Sequence, residues 1–446
     1  MFGFIKRLLG MAGEKPAHNA VTPPSTSGTA ALPSAPSAPV RKAPAVVLRR
    51  DEILDGKTRI AGYRFTVRRP DSGLLAEPWA SVEALAANQV ASFAERRLAL
   101  IPLAPEDWAR EDCRALIGPN TVFVLMLPES DAGIAAWCEA AAAIRQAGAK
   151  VALAGGGGSG QQQAALPHAD YLLLDFPDFS LPSLEQMLKT LRDEKPGLAF
   201  IADNVGRWSE YRYCVSRGIA YCLGAFATAQ DDAQEAREIG QSRLVLIEML
   251  NQLRKEAELS DIAQTAKRDP GVIVKVIAMA NSPALGLSQA VTSIDQAIMV
   301  LGREQLYRWL SIGMFRAGAS SPRDEVLLEI ALARGRFLEV LGQEKHGKLE
   351  CDELFLLGLL SLLDTLLGLP MNEVIAKINL SPVLMEALLS SGGPLARYLM
   401  LAIAVEKGHV QNVTRLAEQL GYALESIEAA STEAVAWAED AVNLTK

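Results

Sequence analysis

The apolar positions of this chain fall into two regimes. From about residue 46 to 230 they form short runs bounded by polar or turn-forming residues. These runs predict strands at Ala45–Leu48, Ile60–Val67, Leu98–Leu103, Val122–Leu127, Val151–Ala154, Tyr171–Asp175, Leu198–Ala202 and Ile219–Leu223. Helical spacing separates several of them. Ala132–Ala147 predicts a helix that stops at Gly148, and Trp208–Arg217 one that stops at Gly218. Ser183-Leu-Glu-Gln186 has capping-box spacing and predicts a helix start that runs to about Lys195. Strands alternating with helices imply a parallel sheet with helices outside it, either a closed barrel or a doubly wound sheet.

Beyond about residue 240 the strand pattern stops and apolar residues recur at helical intervals. Leu244, Ile247, Leu250 and Leu253 form one stripe; Ile273, Val276, Ile277 and Ala280 form another. Ser293-Ile-Asp-Gln296 is a second capping box. Ser321-Pro322 and Ser381-Pro382 each set a cap before a proline suited to the first helical turn. The expectation is an all-helical half of roughly ten helices without a fixed repeat. Its most apolar run, Leu354–Leu369, is broken by Asp364, which makes it too short to span a bilayer and suits a buried helix. A buried acid there needs an arginine or backbone amides, unless it faces outward.

The first 45 residues differ from both regimes. Pro16–Ala45 consists mainly of Pro, Ala, Ser and Thr and reads as a disordered linker. Residues 1–15 precede it as an amphipathic leader. Within residues 1–10, Phe4, Ile5, Leu8 and Leu9 lie near one helical face beside Lys6 and Arg7, a pattern suited to weak contact with a membrane surface or to a partner. A frayed terminus is the alternative reading.

Charge narrows the function classes. Residues 1–50 hold seven Lys/Arg and one Glu, a balance of +6; the whole chain of 446 residues is −8, so the remainder is −14. Bulk charge therefore argues against a non-specific nucleic-acid binder. Five scattered cysteines without a CxxC pair argue against a disulfide framework or a zinc site. With Lys6 and Arg7 interrupting the only early apolar stretch, they point to a cytoplasmic protein.

Candidate chemistry is sparse. Gly155, Gly157 and Gly160 satisfy GxGxxG after a predicted strand, and Asp175 closes the next one, as in a dinucleotide fingerprint. The following helix, Gln161–Leu166, is cut by Pro167, so a flexible strand-to-helix loop is the simpler reading. No lysine follows the glycines, which excludes a P-loop. Asp175 and Asp203 are the only acids expected on adjacent parallel strands, and two carboxylates alone make a weak Mg²⁺ site. His346 and His409 are the only histidines after residue 240, too far apart in sequence to suggest a metal centre. Asn281-Ser282 reads as a helix end and turn.

Two stretches carry a family resemblance. Asp269-Pro-Gly-Val-Ile-Val-Lys-Val-Ile-Ala-Met-Ala-Asn-Ser-Pro283 and Ser293-Ile-Asp-Gln-Ala-Ile-Met-Val-Leu-Gly302 resemble the signature of HDOD domains. The preceding half resembles a degenerate EAL domain, the cyclic di-GMP phosphodiesterase fold, and the pair resembles EAL–HDOD tandem signalling proteins from about residue 46 to 430. The resemblance implies a TIM-like (β/α) barrel, short for its family, followed by an HDOD helical domain. It also implies that the barrel has lost its chemistry. The family's opening Glu, which follows Gly62-Tyr63, is Arg64 here; its Asn falls at Pro102 and a metal-ligand Glu at about Met126. Its paired Asp falls at Ala154-Gly155, the catalytic Lys at Leu173, two further Glu at Asp203 and Gly206, and a Gln at Leu223. Asp175 and Gly224 are kept. Two-metal phosphodiester hydrolysis needs clustered carboxylates and an activated water, which these residue types do not supply.

The expected organisation is a leader at 1–15, a linker at 16–45, the EAL-like part at 46–235 and the HDOD part at 236–446, the last with enough apolar faces of its own to fold alone. The expected function is non-enzymatic: a cytoplasmic regulator linked to cyclic di-GMP or two-component signalling and acting through contact with signalling proteins. No catalytic, cofactor-binding or metal-binding residue is expected, and no cofactor. The rival reading is a receptor that binds cyclic di-GMP or another nucleotide without cleaving it.

Overall fold

The computed structural model describes residues 46–444 other than 111, 129–130, 156–159, 233–238, 282–284, 286, 288 and 318–320. The leader, the linker and most of the glycine run lie outside the described residues.

All eight predicted strands form, and they close on themselves as a barrel in chain order. They are β1 (Val47–Asp55), β2 (Ile60–Arg68), β3 (Leu98–Leu103), β4 (Thr121–Met126), β5 (Lys150–Ala154), β6 (Tyr171–Asp175), β7 (Ala199–Asp203) and β8 (Tyr221–Leu223). From β2 to β8 neighbours are parallel; β1 runs antiparallel to both β2 and β8. The barrel thus decides between the two sheet architectures left open by the sequence. Its interior is filled by apolar side chains, among them Ile53, Leu100, Val124, Ala152 and Ile201, so it is a packed core and not a pore.

β1 is longer than its apolar residues suggest. The pattern predicts a strand ending at Leu48, yet it continues through Arg49-Arg50-Asp51-Glu52 to Asp55. Strand alternation explains this. Ile53 belongs to the barrel interior, so Arg49 and Asp51 share its side, towards the mouth. Leu48, Arg50 and Glu52 together line a cavity with residues of the helical half. Neither row of charges meets bulk solvent in the ordinary way, and each finds partners.

Among the described residues the helical half holds twelve α-helices, against the ten or so expected. Ser293, Ser321 and Ser381 cap their helices as predicted, each accepting a backbone N–H three residues on. Two local readings are corrected. The helix expected to open at Ser183 instead opens at Leu181, because Ser180 accepts the Ser183 N–H and Pro182 fits the first turn. The run Leu354–Leu369 is not one helix but two, Lys348–Leu360 and Leu363–Leu367; half-buried Asp364 accepts the Thr365 N–H at 2.7 Å. Asn281 also does more than end a helix. Its amide both donates to and accepts from the Val291 backbone, each at 2.7 Å, and so closes the intervening loop.

The two halves share one apolar cluster that runs from Val46 to Val442. Helices Pro322–Gly342, Gly393–Lys407 and Leu424–Leu444 contribute to it beside β1 and β2. Polar clasps reinforce the seam. The Leu48 N–H donates to Glu428 at 3.1 Å, Arg50 donates to Ser431 at 2.9 Å and to Thr432, and Arg97 bridges Glu329 at 2.5 Å and Glu439 at 3.2 Å. Arg50 and Glu439 are buried, and buried charges are tolerated only when paired or hydrogen-bonded. Each half would therefore leave apolar and charged groups uncovered without the other. No single described helix is long and apolar enough to cross a membrane, and all five cysteines are free thiols.

On helix Pro270–Ala280 the buried stripe is Val272, Val276 and Ala280, while Ile273 and Ile277 are only half-buried. The stripe is thus rotated from the predicted one. Val276→Asp should cost about 3 kcal/mol or more by burying an unpaired charge, whereas Val274→Asp, at a position 66% exposed, should change stability by no more than about 0.5 kcal/mol. Thermal melts followed by circular dichroism measure both; equal losses would place the stripe elsewhere.

Candidate functional site

In barrels of this kind the chemistry-bearing end is where the parallel strands finish. Here that mouth is formed by the ends of β2 to β8 together with the start of antiparallel β1. Strand register decides which side chains meet. Met126 lies opposite Ala154, Ala154 opposite Leu173, and Asp175 opposite Asp203. The pairing of Asp175 with Asp203 follows the sequence expectation.

Asp203 is buried and already taken. It accepts a hydrogen bond from the Arg64 guanidinium and another, at 2.8 Å, from the Asn204 backbone N–H. Arg64 also donates through Nε to Asp51 at 3.1 Å, and Asp51 accepts from Arg49 Nε at 2.7 Å. Burial opposes charge on Arg64, yet the Asp203 and Asp51 carboxylates outweigh it and hold the guanidinium above its usual value. Asp175 turns to Asn204, accepting from Nδ2 at 3.0 Å. The remaining mouth positions, Met126 (62% exposed), Ala154 and Leu173, have no side-chain oxygen.

The donor set does not fit a pair of divalent cations. A guanidinium sits on the buried acid, and the neighbouring register positions have no oxygen ligand to offer. Among the described residues no group of three or more His, Cys, Asp or Glu is placed to hold a metal ion. His346 Nε2 and the Tyr398 hydroxyl are hydrogen-bonded at 2.6 Å, and His409 stands at the start of helix Val410–Leu420 without a side-chain capping bond. Gly224 has a structural reason to remain glycine. Its φ is 146°, and a Cβ there would lie 2.1 Å from the Val205 carbonyl oxygen.

The mouth opens into a cleft of about 960 Å³ whose second wall comes from the helical half. Arg49, Arg64, Arg68 and Asn204 face it from the barrel; Arg334, Glu406, His409 and Gln411 face it from the helices. The turn at Gly408 is pressed against β1, with φ of 64° and no room for a Cβ, which would fall 2.3 Å from Arg49 Cδ. Arg334 grips Glu406 through two bonds of 2.8 and 2.6 Å. Sequence reasoning found neither Arg64 as the counter-ion of Asp203 nor the helical wall of the cleft. The Arg-Arg-Asp-Glu run inside an otherwise buried segment was the available signal.

Sequence comparison matches residues 242–375 to the HDOD domain family. The helical half carries an HDOD domain. The match ends near helix Met371–Lys377, so the helices that clasp β1 from residues 393–407 and 424–444 lie beyond it. A barrel followed by an HDOD domain is the order of the EAL–HDOD tandem that the sequence resembles. Two relatives align with more of the chain. The uncharacterized protein YuxH of Bacillus subtilis is 27% identical over 260 residues, 57% of this chain and 62% of its own. The cyclic di-GMP phosphodiesterase CdgJ of Vibrio cholerae is 22% identical over 276 residues, 62% of this chain and 63% of its own. The chain thus spans less than two-thirds of the length of either. Among solved structures, an EAL domain protein from Listeria monocytogenes superposes on 41% of this chain and 87% of its own with a TM-score of 0.34 and 15% identity.

Glu52 and Glu428 sit where the HDOD half meets the barrel. Burial pushes the Glu52 carboxyl up to about 8, with Glu406 and Asp51 adding to the effect and Arg334 opposing it. Burial likewise raises Glu428 to about 7, against the pull of Arg50. A carboxyl raised above its ordinary 4.5 binds its proton more tightly in the folded state, so it makes stability fall as pH rises from about 4.5 to about 8. The melting temperature should accordingly fall by a few degrees between about pH 6 and about pH 8.5 at constant ionic strength. Glu52→Gln should flatten that slope and melt higher than the wild type at the alkaline end. An unchanged slope in the variant would remove Glu52 from the interface electrostatics.

Proposed function

We propose that this protein is a non-catalytic regulator of signalling linked to cyclic di-GMP, acting through contact with other proteins. The observation that carries the reading is the ion-paired mouth of the barrel. Arg64 is locked between Asp51 and Asp203 where a phosphodiesterase would need cation ligands, and Met126, Ala154 and Leu173 offer no substitute. The link to cyclic di-GMP is supported by the tandem resemblance and by the name of the relative CdgJ.

A second reading has its own support. The cleft of about 960 Å³ is polar, and Arg49, Arg64 and Arg68 line it, a lining suited to a phosphorylated ligand held without hydrolysis. Calorimetric titration with cyclic di-GMP separates the two: saturable binding that Arg64→Ala weakens favours the receptor, and no heat favours the contact-only regulator.

Both readings share one expectation. The full-length protein should not hydrolyse cyclic di-GMP in Mg²⁺ or Mn²⁺ above a blank without protein, and Leu173→Lys alone should not create activity, because a lysine restores no cation ligand. Turnover abolished by EDTA would overturn both.

A further inference from the structure

Helices Gln241–Arg254, Ile294–Gly313 and Lys348–Leu360 of the HDOD half enclose a groove of about 940 Å³. Its inner surface is apolar: Leu253 and Tyr307 are buried, and Leu356 is half-buried. Leu349, which also lines it, is 70% exposed. A leucine exposed by itself needs no explanation. This one extends an apolar surface that already faces a groove large enough for several side chains.

The charges around the groove are not equally engaged. Lys348 pairs with Glu304 at 3.3 Å, and Arg308 with Glu339 at 2.8 Å and Asp352 at 3.3 Å. Arg303 donates to the Glu256 and Ala257 carbonyls at 3.4 and 2.6 Å, and Arg254 lies over the Tyr307 ring at 5.7 Å. Glu350 and Glu353 line the groove from the same helix as Leu349, and neither has an ion pair among the described residues. Three positions apart, they share one side of that helix. The Lys348–Leu360 wall thus sets accessible apolar surface beside two acids that await a cation.

We propose that the chain's own leader, residues 1–10, docks in this groove. The leader carries the complementary pattern: Phe4, Ile5, Leu8 and Leu9 near one helical face, with Lys6 and Arg7 beside it. Its apolar face lies along Leu253, Leu349 and Leu356, and Lys6 and Arg7 meet Glu350 and Glu353. Charge directs the leader here and away from the cleft at the barrel mouth, where Arg49, Arg64 and Arg68 would repel it. The connection is long enough. Helix Gly393–Lys407 packs against both β1 and helix Lys348–Leu360, so the groove lies within roughly 40 Å of the start of β1. The segment 16–45, rich in Pro, Ala and Ser, spans roughly 30 Å as a coil and up to roughly 90 Å extended. Tethering at such a length raises the leader's effective concentration to about millimolar, so a weak contact suffices. The docking is separate from the barrel mouth and holds whether or not cyclic di-GMP binds there.

The test uses full-length protein with the photo-crosslinker p-benzoylphenylalanine in place of Phe4, and mass spectrometry to map the products. Irradiation should join position 4 to the groove, at residues 303–307 or 349–356, within one chain. Mixing ¹⁴N- and ¹⁵N-labelled protein identifies any product between chains. Reversing Glu350→Lys and Glu353→Lys together should lower the yield at least threefold, and adding Lys6→Glu and Arg7→Glu to that variant should restore it. Leu349→Asp, at an exposed position, should lower the yield and leave the melting temperature unchanged. Cross-links that map elsewhere on the body, or that form between chains, overturn the proposal. So does a charge reversal without loss, or a loss that the swapped leader does not rescue. A leader that cross-links nowhere on the chain, yet pellets the protein with phosphatidylglycerol vesicles, belongs to a membrane surface and overturns it as well. Should Leu349→Asp not fold, the charge reversal and its rescue decide alone.

Discussion

The charged run Arg49-Arg50-Asp51-Glu52 imposes a constraint on everything around it, because it lies on a strand with one side at the barrel mouth and the other against the helical half. Four consecutive ionisable residues would normally mark a loop. Here they alternate between two interiors. Asp51 faces the barrel mouth, where it takes hydrogen bonds from Arg49 and Arg64. Arg50 faces the helical half, where it reaches Ser431 and Thr432. Charges removed from water must be compensated nearly in full. The strand is therefore viable only with β2 and β7 closed on one side and the C-terminal helices docked on the other. That requirement makes a barrel and a helical domain, distinct in fold, into neighbours with one continuous core.

Much of this fold was legible from side-chain pattern because the signals were local. Each strand from β2 to β8 is a short apolar run between turn residues, and three serine caps announced their helices. What failed was also local in origin. β1 looked finished at Leu48 because apolar content, not alternation, set its end. The stripe on helix Pro270–Ala280 was rotated because Ile273 and Ile277 are as apolar as the buried Val272 and Val276, so hydrophobicity alone could not choose the face. The capping role fell to Ser180 and not Ser183 because both precede the same helix and Pro182 fits the turn that Ser180 begins.

The site was legible in what it lacks and not in what replaced it. Residue types at Met126, Ala154 and Leu173 are enough to see that oxygen ligands are missing. That Arg64 neutralises Asp203 depends on closure of the barrel, which brings together residues 139 positions apart. No spacing rule reaches across that interval. The same holds for Glu406, His409 and Gln411, which face the mouth from a helical domain whose family signature ends near residue 375. The C-terminal helices beyond that signature are the part of the chain most committed to the barrel, and nothing in their amphipathic pattern names their partner.

These arrangements tie the chemistry of the mouth to the docking of the two halves. Arg64 is shared between Asp203 and Asp51, and Asp51 also accepts from Arg49, which lies against the turn at Gly408. A cation entering the mouth would have to compete with Arg64 for Asp203. Conversely, any movement of helix Gly393–Lys407 shifts Glu406 and the Gly408 turn, and with them the charges around Glu52 and Arg49. The same short strand supplies side chains both to the mouth and to the seam between barrel and HDOD domain. The ion pairs and hydrogen bonds of β1 thus join the mouth of the barrel to its seam with the helical half.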